Sequence, residues 1–248
     1  IVNLTQSKKT LNTKILLIQE LSFVEQLTQW LGALHKGNIP MVCHNEMDTA
    51  YVDELARVIA YEGVPPLADF GVLTSGTTGQ PKPLWRREIS WRDFFDIQND
   101  IFHTNKDTKI FLQGSFSFTG VSNMVIASLW AGGTVVTTSS LRPSRWMQLI
   151  EEYNVDHIYA LPTNLRLLVR HCKSKLSSIK YIIAGSQVLD RQLMEQLQHI
   201  CPDMEFILYY GASELNYITY CTGKEWLARE GTVGRPFPTV KIAENDNV

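Results

Sequence analysis

Short apolar runs and longer amphipathic stretches alternate along this chain. Lys14–Ile18 and Ile39–Cys43 are apolar runs of strand length, and each is followed by a stretch with helical spacing, Phe23–His35 and Met47–Ala60. Phe70–Leu73 is another apolar run. Further on, Ile110–Gln113, Thr134–Thr137, His157–Ala160, Tyr181–Ala184 and Phe206–Tyr209 read as strands, and Val121–Ala131, Pro143–Tyr153, Pro162–His171 and Asp190–His199 as helices. Pro143 falls in the first turn of its helix, where a missing N–H costs nothing. Strands alternating with helices in this way predict α/β units and mainly parallel sheets. Ligands of such sheets sit beyond the carboxyl ends of the strands. The stretches after Leu73 and Tyr209 are therefore where chemistry is expected.

Composition narrows the classes of function. A chain of 248 residues that is 44% hydrophobic and 19% charged can bury a sizeable core. A net charge of −2 gives no footprint for nucleic acid or an anionic membrane surface. Cys43, Cys172, Cys201 and Cys221 are scattered, without the paired spacing of a zinc site or a disulfide framework, and fit reduced thiols. The polar opening Ile1–Lys9 has no secretory core segment, and the apolar region Val121–Val136 is broken by Ser122, Asn123, Ser128, Gly132 and Gly133. A cytoplasmic protein without a transmembrane segment is expected. His103, His157, His171 and His199 are isolated from one another, with no metal or triad spacing, and there is no Gly-x-Ser-x-Gly elbow.

The richest chemistry lies at Gly71-Val-Leu-Thr-Ser-Gly-Thr-Thr-Gly-Gln-Pro-Lys82. Gly76 and Gly79 permit tight turns that bring backbone N–H groups close to an anion. Thr74, Ser75, Thr77 and Thr78 add hydroxyl donors, and Lys82 adds a point charge for phosphate oxygens. The spacing is not that of the common P-loop, and Pro81 and Pro83 flank the lysine. By composition alone the segment also suits an ordinary surface turn.

Taken whole, the string Thr74–Lys82 resembles the phosphate loop of the adenylate-forming superfamily, which includes acyl-CoA and aryl-CoA synthetases, luciferases and the adenylation domains of peptide synthetases. Further likenesses follow the family's order. Leu34–Pro40 is similar to a weaker signature near the end of a first-subdomain helix. Ala184-Gly-Ser-Gln-Val-Leu189 resembles the turn lying against adenine. Tyr209-Tyr-Gly-Ala-Ser-Glu214 and Gly231-Thr-Val-Gly-Arg-Pro-Phe-Pro238 resemble the Tyr-Gly-x-Thr/Ser-Glu and Gly-x-Val-Gly-Lys/Arg-Pro motifs. The resemblance is to the N-terminal core of an acyl-CoA synthetase. It implies a layered αβαβα fold of two packed, mainly parallel sheets, with residues 1–70 the remainder of a first α/β subdomain and 71–248 a second.

The roles that follow are those the resemblance implies. The carboxyl group of an acid is joined to the α-phosphorus of ATP with release of pyrophosphate, and in the complete enzyme CoA then displaces AMP. Thr74, Ser75, Gly76, Thr77, Thr78, Gly79 and Lys82 face the β- and γ-phosphates. Ser213 contacts the α-phosphate and Glu214 holds Mg²⁺, so that Lys82, Ser213 and Glu214 form the catalytic set. Tyr210 lies on adenine beside Gly211 and Ala212, with Gly185 and Ser186 on the other side of the base. Gly234 and Arg235 shape a loop beneath the nucleotide, although Arg235 reads equally as a surface charge. Phe116, Ser117, Phe118, Gly120 and Asn216 border the acid, with Ser117 where related ligases usually carry histidine. Phe116 and Phe118 either wall that pocket or fill the core. A fatty acid or an aryl acid such as o-succinylbenzoate is the expected substrate. The ribose-binding aspartate and the small C-terminal domain of the family are not in these 248 residues, so the chain reads as an incomplete ligase with weak activity alone. A carrier-protein-loading adenylation domain and a non-catalytic nucleotide-binding module remain open readings.

Overall fold

Side-chain caps fix where several helices begin. In a computed structural model, which describes residues 14–19, 22–44, 47–74 and 82–243, Ser22 accepts from the Glu25 N–H and opens α1 (Phe23–His35). Asp48 accepts from the Tyr51 N–H at 2.7 Å and opens α2 (Thr49–Glu62). Each such cap is worth about 1 kcal/mol. The chain divides into two compact units, residues 1–95 with 114–130, and residues 96–113 with 131–248.

The first unit holds a four-stranded sheet, β1 (Ile15–Ile18), β2 (Ile39–Val42), β3 (Phe70–Leu73) and β4 (Pro83–Arg86), in that spatial order. β1, β2 and β3 are parallel and joined through α1 and α2, while β4 returns antiparallel to β3. Strands β2 and β3 are buried along their whole length, which is why they read as unbroken apolar runs. Met41, Cys43 and Leu73 pack with Val52, Leu55 and Ile59 of α2. The start of α3 (Ile89–Ile101) and all of α4 (Thr119–Trp130) also belong to this unit.

The second unit holds seven strands in the order β11-β10-β9-β8-β7-β5-β6. These are β5 (Lys109–Leu112), β6 (Thr134–Thr137), β7 (His157–Tyr159), β8 (Tyr181–Gly185), β9 (Glu205–Ala212), β10 (Asn216–Thr222) and β11 (Arg235–Pro236). Five of them, β5, β6, β7, β8 and β9, are parallel, and β10 and β11 are antiparallel additions. Helices α5 (Pro143–Glu152), α6 (Pro162–His171), α7 (Arg191–Ile200) and α8 (Gly223–Ala228) contribute Leu149, Leu165, Leu197 and Trp226 to one continuous core. Among the described residues no helix is long and apolar enough to cross a membrane.

The parallel α/β organisation matches the hydrophobic pattern, but two stretches differ. Residues 83–108, where the hydrophobic pattern predicts no element, contain β4 and α3. The expected loop after Tyr209 is instead a continuation of β9 into a hairpin with β10, whose buried positions Tyr217, Thr219 and Cys221 alternate with half-buried ones. Both sheets therefore end in antiparallel edges.

Burial gives the fold an alkaline limit. It pushes the Cys43 and Cys221 thiols up to about 11 and the Cys201 thiol to about 12, against an ordinary 9.0. It also holds the Tyr159, Tyr209 and Tyr217 hydroxyls above their ordinary 10.0. The folded state keeps protons that the unfolded chain releases, so this stability is full below pH 9.0 and is lost as pH rises through the folded values. Urea midpoints measured in steps of pH should fall from pH 9 upward; a midpoint unchanged to pH 11 would show these groups to be solvated.

Candidate active site

The foot of the loop 74–82 is a hairpin closure. Phe70–Leu73 pairs with Pro83–Arg86, and beyond the last pair the Thr74 N–H donates to the Lys82 carbonyl at 3.0 Å. Thr74 and Lys82 are thus held across from each other by backbone alone. Ser75, Gly76, Thr77, Thr78 and Gly79 lie outside the described residues. The Lys82 side chain is exposed and has no partner among the described residues.

The stretch expected to border the acid meets β3 at this same foot. The Leu73 N–H donates to the Ser117 carbonyl at 3.2 Å, and Leu73 forms a single parallel bridge with Phe118. Phe116 is buried between Phe23 and Trp30, with ring centroids at 5.4 and 5.9 Å, so it fills the core of its unit. Ser117 is 1% exposed, and its hydroxyl lies 2.8 Å from that of Ser115. Phe118 is half-buried, its ring 5.4 Å from the imidazole of His44, while Gly120 is half-buried in the first turn of α4. His44 was not among the expected site residues. The signal for it was its position just after β2, at the carboxyl end of a parallel strand.

In the second unit, the carboxyl ends of β8 and β9 lie side by side, Gly185 opposite Tyr209. A Cβ on Gly185 would come within 2.6 Å of the Tyr209 ring, so only glycine lets that ring pass. Tyr209 is buried, its hydroxyl 2.6 Å from that of Tyr159 and hydrogen-bonded to the Ser186 side chain. Ser186 is exposed and sits at φ 64°, a left-handed conformation that turns the chain sharply out of β8. Tyr210 points the other way along the strand and is 53% exposed.

Beyond Tyr210 the chain reverses. Ala212 pairs with Asn216, the Leu215 N–H donates to the Ala212 carbonyl at 3.1 Å, and Asn216 takes φ 62°, which asparagine tolerates better than most residues. Ser213, Glu214 and Leu215 form the turn. The space beside Gly211 is taken up by the Asn216 carbonyl and the Tyr217 backbone. Glu214 is exposed at the tip, with no partner among the described residues, and no helix begins there. The hairpin thus presents an aromatic face at Tyr210 and a carboxylate at Glu214.

The turn 186–190 is strapped to its neighbours. Gln187 Oε1 accepts from the Thr163 N–H at the start of α6, at 3.2 Å. Arg166 donates to the Val188 carbonyl at 3.4 Å and pairs with the Asp190 carboxylate. That guanidinium holds the Asp190 carboxyl below its ordinary range, and Asp190 Oδ1 in turn caps α7 through the Leu193 N–H at 2.8 Å. Arg235 is equally committed. It lies over the Tyr220 ring at 4.5 Å, donates to the Tyr220 hydroxyl at 3.2 Å and pairs with Glu225, which makes it a brace between β11, β10 and α8.

Residues 70–247 match the family model described as AMP-binding enzyme. Over 202 residues the chain is 30% identical to the putative long chain fatty acid-CoA ligase VraA of Staphylococcus epidermidis, covering 79% of this chain and 41% of that protein. Over 169 residues it is 26% identical to the uncharacterized acyl-CoA ligase YhfT of Bacillus subtilis, covering 68% of this chain and 35% of that one. The chain therefore spans about two-fifths or less of the length of these relatives. Among solved structures, the O-succinylbenzoate coenzyme A synthetase of Bacillus subtilis, in complex with ATP and magnesium ion, shares the fold, with a TM-score of 0.74 at 16% identity over 91% of this chain and 55% of that one. The chain belongs to the AMP-binding enzyme family and has the fold of the N-terminal domain of adenylate-forming enzymes.

Proposed function

We propose that this chain is the nucleotide-binding core of an acid–thiol ligase that activates a carboxylic acid with ATP. The hairpin 210–216 carries the reading: it offers an exposed ring and a carboxylate without a partner among the described residues, on a two-stranded support. Tyr210 and the Gly185-Ser186 turn flank the adenine. Ser213 approaches the α-phosphate, and the loop ending in Lys82 receives the β- and γ-phosphates. Among the described residues no three His, Cys, Asp or Glu side chains cluster as a metal site. A magnesium ion would therefore rest on Glu214 and on phosphate oxygens, the usual division for this ion. It would screen the repulsion between two anionic reactants.

In the reaction, a carboxylate oxygen attacks the α-phosphorus and the bond to the pyrophosphate oxygen breaks, giving acyl-adenylate. The thiol of CoA then attacks the acyl carbon, forming a thioester and releasing AMP. The name of the VraA relative favours a long-chain fatty acid over an aryl acid. Free cysteines, Cys43, Cys201 and Cys221 among them buried, favour a reducing compartment such as the cytoplasm.

Calorimetric titration of the chain with Mg·ATP tests the core of this reading, and saturable one-to-one binding is expected. Absence of binding would overturn the nucleotide site. On the full-length gene product, a fatty-acid-dependent exchange of pyrophosphate into ATP tests the first half-reaction, and CoA-dependent release of AMP the second. Arg166→Ala should loosen the turn 186–190 and weaken ATP binding by roughly fivefold, with less than about 1 kcal/mol lost from stability because the ion pair is partly exposed. Equal affinity in the variant would show that this strap does not shape the nucleotide site.

A further inference from the structure

The reaction proposed above gives the carboxylate of the acid no partner on the protein. The place to find one is the carboxyl end of the parallel strands in the first unit, where ligands of such sheets bind. Among the described residues within two positions of the ends of β1, β2 and β3 and of the start of β4, only His44 and Lys82 can carry positive charge. The phosphates claim Lys82, which leaves His44.

Backbone bonds and ring packing fix where His44 stands. The Cys43 N–H donates to the Ile18 carbonyl at 2.8 Å, so the pairing of β2 with β1 runs on to the residue before it. The His44 carbonyl accepts from the Met47 N–H at 3.0 Å. Its half-buried imidazole lies 5.4 Å from the Phe118 ring at 49°, and Phe118 is bridged to Leu73, the last residue of β3. The imidazole is thereby set beside the foot of the loop 74–82. The neighbours of Phe118 in sequence cannot take this role. Phe116 is buried against Phe23 and Trp30. Ser117 is 1% exposed, with its hydroxyl on Ser115 and its carbonyl on the Leu73 N–H.

Strand order separates the two cations. β3 lies between β2 and β4, so His44 and Lys82 stand on opposite sides of the loop's foot. Two strand spacings put them roughly 10 Å apart. A carboxylate at one and the β- and γ-phosphates at the other leave the α-phosphorus between them. An imidazole N–H also suits a carboxylate that must react. It holds one oxygen by a hydrogen bond and leaves the other free to attack.

We propose that His44 binds the carboxylate of the acid substrate, with Phe118 holding the imidazole in place; this assignment rests on the ligase reading above.

The test is decanoate-dependent exchange of pyrophosphate into ATP by the full-length gene product, in the parent and in His44→Ala, His44→Gln and Phe118→Ala. His44→Ala should raise the KM for decanoate roughly tenfold, the factor for one charge-assisted hydrogen bond, while the KM for ATP stays within about twofold. His44→Gln keeps an N–H donor and should recover most of that loss, which a merely structural role would not allow. Phe118→Ala should raise the decanoate KM with the donor still present. A second readout needs no variant and no turnover. Decanoate with Mg²⁺ and a non-hydrolysable ATP analogue should slow the modification of His44 by diethyl pyrocarbonate, followed by peptide mass spectrometry, and sodium chloride at the same concentration should not. An unchanged decanoate KM in His44→Ala, an equal rise in the KM values for acid and ATP, or a His44 modified equally fast with and without decanoate would each overturn the proposal. Mg·ATP titration of the parent is run alongside. A parent that does not bind defeats the nucleotide reading and this assignment with it, whereas a parent that binds and exchanges, beside a His44→Ala variant with unchanged decanoate KM, defeats this assignment alone.

Discussion

Lys82→Ala and Glu214→Gln should each weaken Mg·ATP binding by roughly thirtyfold while leaving the thermal midpoint where it is. The size follows from what each side chain gives up. A charge-assisted hydrogen bond to phosphate contributes about 1.5–3 kcal/mol, and a carboxylate on magnesium is of similar worth. The silence in stability follows from exposure: both groups stand in solvent without a partner among the described residues, and such surface changes usually fall within about 0.5 kcal/mol. Affinity by calorimetry and unfolding by circular dichroism, on the same preparations, separate the two effects. A variant that binds ATP like the parent would remove its residue from the site. A variant that loses binding and stability together would make the residue part of the scaffold.

Gly211→Ala should destabilise the second unit by about 3 kcal/mol and abolish nucleotide binding along with it. A Cβ there would stand 3.2 Å from the Asn216 carbonyl carbon and 3.3 Å from Tyr217 Cα, and nearer still to the Asn216 oxygen. These are backbone atoms of a paired strand, so no rotamer change relieves the clash. The hairpin has to open or slip, and Tyr210, Ser213 and Glu214 go with it. Gly32 supplies the control. It lies inside α1 with nothing within 4 Å of a built Cβ, so Gly32→Ala should be neutral or stabilising by about 0.5–1 kcal/mol. Urea denaturation of both variants decides it, and equal midpoints would mean the hairpin is far more pliable than its contacts imply.

Much of the fold was legible because the parallel strands are buried on both faces and so stand out as apolar runs between amphipathic helices. The antiparallel edges were not. β10 has the alternation of a strand, yet it begins at a left-handed Asn216 and carries an irregularity between Tyr217 and Thr219, so its pairing with Tyr209–Ala212 depends on Gly211 admitting it. That is a tertiary fact. β4 was hidden by Pro83, which forms no ladder bond of its own and marks an edge only once β3 is known to lie beside it. Of the site, the residue types at 74–82 and 209–214 carried the chemistry. Which aromatic is buried was half visible: Phe116 vanishes between Phe23 and Trp30, whereas Phe118 meets His44, from a different strand end. His157 looked isolated because one of its ring contacts, Tyr181, comes from the neighbouring strand, and adjacency to Asp156 does not by itself show that the two side chains meet.

The hydroxyls of Tyr159, Tyr209 and Ser186 run in series from the interior of the second unit to its surface. A row of hydroxyls has two settings, every proton pointing outward or every proton pointing inward, and mixed arrangements lose a bond. Whatever touches Ser186 chooses between them: an acceptor draws the row outward, a donor turns it inward. An occupant at the exposed turn would thereby bias the proton order of two buried phenols. Tyrosine ultraviolet difference spectra, compared between the parent chain and Tyr209→Phe, would show whether binding at the turn reaches the buried phenols.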